Sequence, residues 1–207
     1  MSTQSINTST EITKREAAED IFYGQVVINW ARWFVIAAGV GLVMILTETP
    51  TQLAIGIVPI VGLMVVNFYL HGRRLAQQPA NRNLIAISSI LDLVLITSVI
   101  AVGGAVAEVG LSNQFYVAYF PVIAAFGFVM PRKLTVVYTL IAMVAYAVTT
   151  VVVNAQIYDP KPGIDVPAVD LINLEALITR LVVMAAVGGL ASYFWRVQRE
   201  RRNAVGS

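Results

Sequence analysis

The stretch LIAISSILDLVLITSVIAVGG, residues 84–104, and the run FYVAYFPVIAAFGFVM, residues 115–130, decide the fold. The polar loop AVAEVGLSNQ separates them, and Pro131, Arg132 and Lys133 close the second run. A helix of about 20 apolar residues spans the roughly 30 Å hydrocarbon core of a bilayer. The first run therefore predicts a membrane-spanning helix with Asp92 well inside it, and the second run predicts a shorter apolar helix beside it.

The composition of the whole chain agrees with a membrane protein. Of its 207 residues, 57% are hydrophobic and 13% are charged, whereas a soluble domain has about 25% charged residues. The absence of cysteine excludes disulfides, thiolate catalysis and zinc sites built on cysteine. The net charge of +2 is small, and we interpret the basic residues as topology signals rather than as a nucleic-acid surface.

Hydropathy predicts an all-α fold, a bundle of six transmembrane helices. The expected spans cover residues 26–47, 52–70, 84–102, 115–130, 134–155 and 171–195. The fourth is only about 24 Å long as a helix. It must draw in residues 111–114, thin the bilayer, or be partly re-entrant.

The remaining segments divide the chain into three parts. Residues 1–25 are predicted to form a disordered leader, up to Thr13, and then an interfacial helix over residues 11–25. The acids before the first apolar run argue against a signal peptide. The membrane domain covers residues 26–196, and residues 197–207 form a basic tail. The loop QIYDPKPGIDVPAVD, residues 156–170, has three prolines and is predicted to be non-helical.

Loop charges predict the orientation of the bundle. Only Lys161 falls on one side, and the basic residues of the other side are Lys14, Arg15, Arg73, Arg74, Arg82, Arg132, Lys133, Arg196, Arg199, Arg201 and Arg202. The positive-inside rule then places both termini in the cytoplasm. An even number of crossings agrees with six spans, and we expect a multi-pass protein of the inner (cytoplasmic) membrane.

Four polar residues in the inner half of the spans form a predicted structural polar cluster: Asn29, Arg32, Asn67 and Asp92. Counted along their helices, they lie about 5 to 12 Å from the cytoplasmic ends. Asp92 is either a carboxylate that titrates or pairs with a ligand, or a structural acid neutralised by Arg32 or by protonation. Arg32 lies between Trp30 and Trp33, which is also typical of a snorkelling interfacial anchor.

A second polar layer is predicted near the outer ends of the spans, and we expect it to bind a ligand. Its candidate residues are Asn113, Gln114, Tyr116, Tyr119 and Arg180. Arg180 suits an anionic or quinone-like ligand. Its other expected partner lies on a neighbouring helix, because Glu175 is about 140° away around the same helix. Small residues at Ala185, Gly188, Gly189 and Ser192 predict close helix packing.

The residue inventory indicates no catalytic chemistry. The single histidine, His71, is at the end of the second span, so ligation of a haem by two histidines within one chain is excluded. No glycine-rich phosphate loop and no serine, histidine and acid at one depth are evident. We expect a non-enzymatic protein without a bound metal or cofactor.

Several short motifs follow one another in order: ILDLVLIT around Asp92, Gly103-Gly104, SNQF at 112–115, PVIAA at 121–125, Arg132, and RLVVMAAVGGLASYF leading to RVQRERR. Together they resemble the six-helix membrane input module of sensor histidine kinases, including redox-responsive kinases linked to quinone sensing. Gln114 stands where that family has a proline, and this loop is longer. The resemblance implies a sensor fold and a quinone or another lipophilic ligand.

Two functions follow as expectations. The first is a membrane sensor module that binds a lipophilic or small ligand and signals through its sixth helix. No phosphorylatable histidine or ATP-binding domain follows Arg202 in this sequence, so we expect no kinase activity from it. The second is an accessory subunit of a larger membrane complex. Expected partners are membrane lipid and either a second copy or a larger complex, with no nucleic acid. A transporter is disfavoured because no inverted repeat is evident.

Overall fold

The computed structural model describes residues 3–76, 81–102, 114–157 and 173–205, in which all regular structure is helical. The α-helices are α1 (Thr3–Leu46), α2 (Pro50–Leu75), α3 (Arg82–Val102), α4 (Tyr119–Val129), α5 (Arg132–Ile157) and α6 (Leu174–Val205), and a 3₁₀ helix, Gln114–Ala118, leads into α4. Among the described residues, five helices are long and apolar enough to cross a membrane, and Gln114–Val129 is a shorter apolar segment. The predicted all-helical fold is confirmed, with five helices whose length and composition would let them cross a membrane.

Polar residues at the connections define where three helices begin. The Thr49 side chain accepts a hydrogen bond from the Gln52 backbone, while the Gln52 side chain accepts from the Thr49 backbone, which forms a capping box ahead of Pro50. Asn81 caps α3 and Asn173 caps α6, each through a side-chain oxygen that accepts a backbone N–H three residues on. These caps place helix starts a few residues from the predicted span limits.

The N-terminal segment differs from its prediction. We expected a disordered leader and a separate interfacial helix, but α1 is unbroken from Thr3 to Leu46. Nucleation is the costly step of helix formation, and the apolar span supplies the nucleus from which this segment continues. The predicted loop over residues 156–170 lies outside the described residues, except that Gln156 and Ile157 end α5.

The shortest of these α-helices, α4, is the centre of the bundle. It packs against α1, α3, α5 and α6, while α2 packs on α1 and α3. No α4 residue is exposed, and Tyr119, Ile123 and Phe126 are among those fully or nearly buried. The long helices instead expose apolar side chains such as Val58 and Phe34 on the outer face. A helix that is apolar all round can be a core helix or a membrane span, and the burial of α4 on every side makes it the core of this bundle.

Contacts along α4 define its direction. Its Tyr119 meets Thr97 near the end of α3, whereas Val129 lies against Gly24 and Gly127 lies against Ala191 of α6. Consequently α4 is antiparallel to α1 and α3 and parallel to α6. With its 3₁₀ helix it is about 27 Å long. We call the two ends of the bundle the Gly24 end and the Thr49 end.

Candidate functional site

A buried ion pair joins α1 to α3 in the middle of the bundle. The Arg32 Nε donates to both carboxylate oxygens of Asp92, at 2.9 Å to Oδ1 and 2.7 Å to Oδ2. Each side chain is 1% exposed. The pairing of these two residues, one of the alternatives drawn from their matched depth, is confirmed. The interpretation of Arg32 as a snorkelling anchor is wrong, because its side chain turns inward to the acid rather than out to the interface.

The other members of the polar cluster, Asn29 and Asn67, are also buried. The contacts between α1 and α2 place these residues at one depth, since Gln25 donates to the Leu70 carbonyl and the Trp33 ring packs edge-on against Phe68.

The Arg32 Nη1 and Nη2 atoms and both amide groups of the asparagines have no hydrogen-bond partner among the described residues. Asn29 and Arg32 are three residues apart on α1 and Asn67 is at a similar depth on α2, but of the four only Arg32 and Asp92 are bonded to each other.

Further polar groups around Asp92 were not singled out in the sequence. Tyr138 of α5 donates to the Ser89 carbonyl of α3 at 2.8 Å, and its ring stacks on Phe126 of α4 with centroids 4.1 Å apart. The Ser88 hydroxyl donates to the Ile85 carbonyl. The sequence does contain a signal for a polar face on α5, because residues with hydroxyl groups recur there at helical spacing. The buried ones are Thr135, Tyr138, Thr139, Tyr146 and Thr150.

Toward the Thr49 end, Arg180 lies in an aromatic layer formed with Tyr116, Tyr119 and Tyr146. Its Nη1 donates to the Tyr146 hydroxyl at 2.8 Å, and its guanidinium carbon is 4.0 Å from the centre of the Tyr116 ring. The Tyr119 hydroxyl is 2.7 Å from the Thr97 hydroxyl. The expected cross-helix partner of Arg180 is confirmed as Tyr146 of α5, together with Tyr116.

Neither ion pair that the described residues form involves Arg180. Ion pairs among the described residues are Arg32 with Asp92 and Arg196 with Glu200. A tyrosine hydroxyl and a ring face are neutral partners, and a guanidinium can in addition bind a carboxylate, a phosphate or a carbonyl group. The layer can thus hold a polar ligand group beside an aromatic surface.

Only some of the predicted ligand-binding residues lie in the aromatic layer. Tyr116, Tyr119 and Arg180 lie together in the aromatic layer, with Tyr119 fully buried. Gln114 is exposed at the start of the 3₁₀ helix. Asn113 lies outside the described residues. Tyr146 also belongs to the layer and was missed, although it is one of the hydroxyl-bearing residues that recur on one face of α5.

The small residues of α6 do not share one role. A Cβ atom on Gly188 would collide with the Thr139 side chain of α5, whereas a Cβ on Gly189 would meet nothing within 4 Å. Ser192 is buried and Ala185 is exposed. The expectation of close packing is therefore right for Gly188 and wrong for Gly189 and Ala185 within this chain, because these two residues lie on the outer face of the helix.

Chemically, the polar cluster and the aromatic layer supply guanidinium, carboxylate, amide, hydroxyl and aromatic groups. In the described residues, no three His, Cys, Asp or Glu side chains are close enough to hold a metal ion. The polar cluster lies on α1, α2 and α3, whereas the aromatic layer lies on the 3₁₀ helix, α4, α5 and α6. The two groupings are at different depths, with Val122 and Ile123 of α4 buried between their levels. No family model, curated protein or solved structure matches the chain.

Proposed function

We propose that this chain is a non-catalytic membrane sensor or input module, similar to that of a two-component histidine kinase, which signals through α6. The observation that supports this proposal is α6 itself. It is one unbroken helix from Leu174 to Val205. Its Arg180 belongs to the aromatic layer, and its last turns extend past the apolar span that ends at Val197. A rigid helix of this kind links a ligand layer to the far side of a membrane.

The orientation is part of the proposal. In it, α4 is a full crossing, so the bundle has six spans with both termini in the cytoplasm and lies in the inner membrane. Two observations support it. The α4 helix runs in the opposite direction to α3 and α5, which precede and follow it, and the basic residues of the loops fall almost entirely on one side.

The ligand in this proposal is a lipophilic or small molecule with an acidic or carbonyl group, such as a quinone. Its polar group would meet Arg180 and Gln114, and its rings or chains would lie on Tyr116 and Tyr119. A ligand shifts an equilibrium only by its difference in affinity for two conformations, and about 1 to 3 kcal/mol is a typical coupling free energy. Membrane lipid is the other molecule in contact with this surface.

Two close contacts would transmit the shift. Gly188 of α6 lies against Thr139 of α5, and Ala191 lies against Gly127 of α4. Small residues let helix backbones approach and slide past each other. Movement of α6 at Arg180 would therefore be guided by α4 and α5 and would reach the segment beyond Val197 as a rotation or translation.

An accessory subunit is the second candidate, and a different face of α6 favours it. Ala185, Gly189 and Leu190 are exposed to the outside of the bundle. A face with small residues four positions apart suits close packing against a helix of another chain, either a second copy or a larger complex.

One substitution pair distinguishes the two candidates. The chain is fused after Arg202 to a histidine kinase core in helical register, and autophosphorylation is measured in nanodiscs of native lipid extract and of synthetic phosphatidylcholine alone. A sensor gives different activities in the two lipids. Gly188→Ala should remove that difference, because the new methyl group meets Thr139, and Gly189→Ala should preserve it.

The accessory-subunit candidate predicts the reverse pattern. Gly189→Leu should release partners that co-purify with the native chain, while the wild-type fusion shows constant activity in every register and lipid. Constant activity, together with a stable native complex, would replace the sensor proposal. Thermal unfolding of each variant in detergent shows whether a fusion without autophosphorylation activity is still folded.

A further inference from the structure

The outer faces of α1 and α2 share a group of exposed aromatic rings, which we call the α1–α2 patch. Its members are Trp30, Trp33 and Phe34 of α1 and Phe68 and Tyr69 of α2, and each is at least 36% exposed. Spacings of three and four residues put the three α1 rings on one face of that helix. The Trp33 ring packs edge-on against Phe68, with centroids 5.4 Å apart. This contact joins the two halves of the patch.

The α1–α2 patch reaches deeper than interfacial anchors normally do. Aromatic belts lie at the membrane–water interface. Counted from Gly24, where the apolar span of α1 begins, Trp30 is about 9 Å and Phe34 about 15 Å along the helix. The hydrocarbon core of a bilayer is about 30 Å thick. The rings of the patch therefore face the acyl chains of one leaflet, from near its surface to the middle of the core.

A basic side chain lies at the surface end of the patch. The apolar sequence of α2 ends at Leu70 and is followed by HGRR, residues 71–74. Arg73 is one turn past Tyr69, and its Nη1 donates to the Tyr69 hydroxyl at 3.4 Å. Arg73 belongs to neither of the ion pairs found in the described ranges. In a membrane this guanidinium lies at the level of the lipid headgroups, beside rings that face the chains.

Charge and shape favour a phospholipid as the occupant of this surface. From Pro50 to Leu91 the sequence contains Arg73, Arg74 and Arg82 but no acid. A guanidinium binds phosphate oxygens through paired N–H groups. Helix–helix contacts in membranes favour small residues, which let the backbones approach closely, whereas bulky rings keep a neighbouring helix at a distance. Flexible acyl chains can conform to the rings.

We propose that Arg73 and the α1–α2 patch form a binding site for an acidic phospholipid in the leaflet at the Gly24 end. The headgroup phosphate binds Arg73, and the acyl chains lie on Tyr69, Phe68 and Trp33. A zwitterionic lipid also has a phosphate, but its own ammonium group offsets the negative charge, so the acidic lipid binds more tightly. This site is separate from the aromatic layer around Arg180, which lies toward the Thr49 end.

Tryptophan fluorescence measures this preference, because bromine atoms on an acyl chain quench an indole only at close range. Trp30→Phe and Trp195→Phe together leave Trp33 as the single tryptophan of the chain. This variant is reconstituted in phosphatidylcholine with equal small fractions of either dibrominated phosphatidylglycerol or dibrominated phosphatidylcholine. We expect phosphatidylglycerol to bind near Trp33 about fivefold more tightly, which is the effect of one basic residue at an anionic surface.

Two further substitutions in this background separate a site from a general charge effect. Arg73→Gln should remove the preference for phosphatidylglycerol. Arg132→Gln is the matched control and should preserve it, because Arg132 is also exposed at the Gly24 end but begins α5, which packs against α3, α4 and α6. An unchanged preference in Arg73→Gln, or an equal loss in Arg132→Gln, would overturn the site.

The wild-type quenching pattern is also decisive. Equal quenching by the two lipids would contradict the preference for an acidic headgroup, and no quenching by either would mean that a second copy or another protein covers the patch. Native mass spectrometry of the unmodified chain provides an independent measurement. Purified in an equal mixture of the two lipids, the chain should retain phosphatidylglycerol in preference to phosphatidylcholine. Equal retention would overturn the proposal even if the tryptophan variants fail to fold.

Discussion

Arg32 and Asp92 each depend on the other for their place in the bundle interior. A single charge at the centre of a bilayer costs about 2.5 to 3.5 kcal/mol on insertion scales. The contact at 2.7 Å gives each charge an opposite partner, which offsets part of that cost. Since both side chains are buried, removal of either partner leaves an uncompensated charge, and removal of both leaves only a packing defect.

A double-mutant cycle tests this dependence. We expect Asp92→Ala or Arg32→Ala alone to reduce the free energy of unfolding by about 3 to 5 kcal/mol, and the double variant to lose less than the sum of the two. Denaturant unfolding in a mild detergent, followed by circular dichroism, provides the free energies. Arg196→Ala with Glu200→Ala is the matched control, since that pair is exposed and should show no measurable coupling. Strictly additive losses at Arg32 and Asp92 would mean that the two residues do not interact.

At the scale of the helix, α4 owes its central position to close contacts as well as to its apolar sequence. In a bilayer no hydrophobic force drives one apolar helix against another, so packing between small residues decides which helices meet. Gly127 lies against Ala191 of α6 and Thr135 of α5. This contact holds three helices together near the Gly24 end.

We expect Gly127→Ala to lower the free energy of unfolding by about 1 to 3 kcal/mol, because the new methyl group collides with the Ala191 side chain. Ala191→Gly introduced into the same variant should restore part of the loss. Gly41→Ala is the control: nothing lies within 4 Å of its Cβ position, and a helical alanine is favoured over glycine by about 0.8 to 1.0 kcal/mol. Thermal unfolding in detergent checks all four chains, and an unchanged Gly127→Ala variant would contradict the packing.

At the scale of the whole molecule, the orientation depends on whether α4 crosses the membrane. If it does, residues before and after it lie on opposite sides, and the basic loops face one compartment. If it does not, the loop that contains Lys161 joins the basic loops and the end of α6 is on the other side.

Reporter fusions decide between these orientations. We expect alkaline phosphatase to be inactive, and green fluorescent protein to be fluorescent, when fused after Arg74, Lys133 or Ser207, because those positions should be cytoplasmic. A phosphatase fused after Pro162 should be active. Fluorescence of the Pro162 fusion would reduce the crossings to five and remove the proposed direction of signalling. Protein levels on immunoblots provide the control for unstable fusions.

The sequence by itself determined the helical class and the apolar spans of this protein, although not the N-terminal extension of α1. Runs of apolar residues near the thickness of a bilayer admit few structures, because a backbone in lipid must bond within its own helix. Polar residues inside these apolar runs are easy to identify in the sequence. The four members of the polar cluster and most of the aromatic layer were therefore found from their depth along each helix alone. Depth is a property of one helix and needs no knowledge of its neighbours.

Only the tertiary structure decided which faces meet. Hydropathy did not indicate that the shortest apolar run is the core, because an apolar helix in a membrane can face either lipid or other helices. It also did not separate Gly188 from its neighbour Gly189. Arg32 beside two tryptophans has the sequence of an interfacial anchor, yet its side chain turns to Asp92, 60 residues away. Rotation of each helix about its own axis depends on packing against every other helix at once, and this information is not local in the sequence.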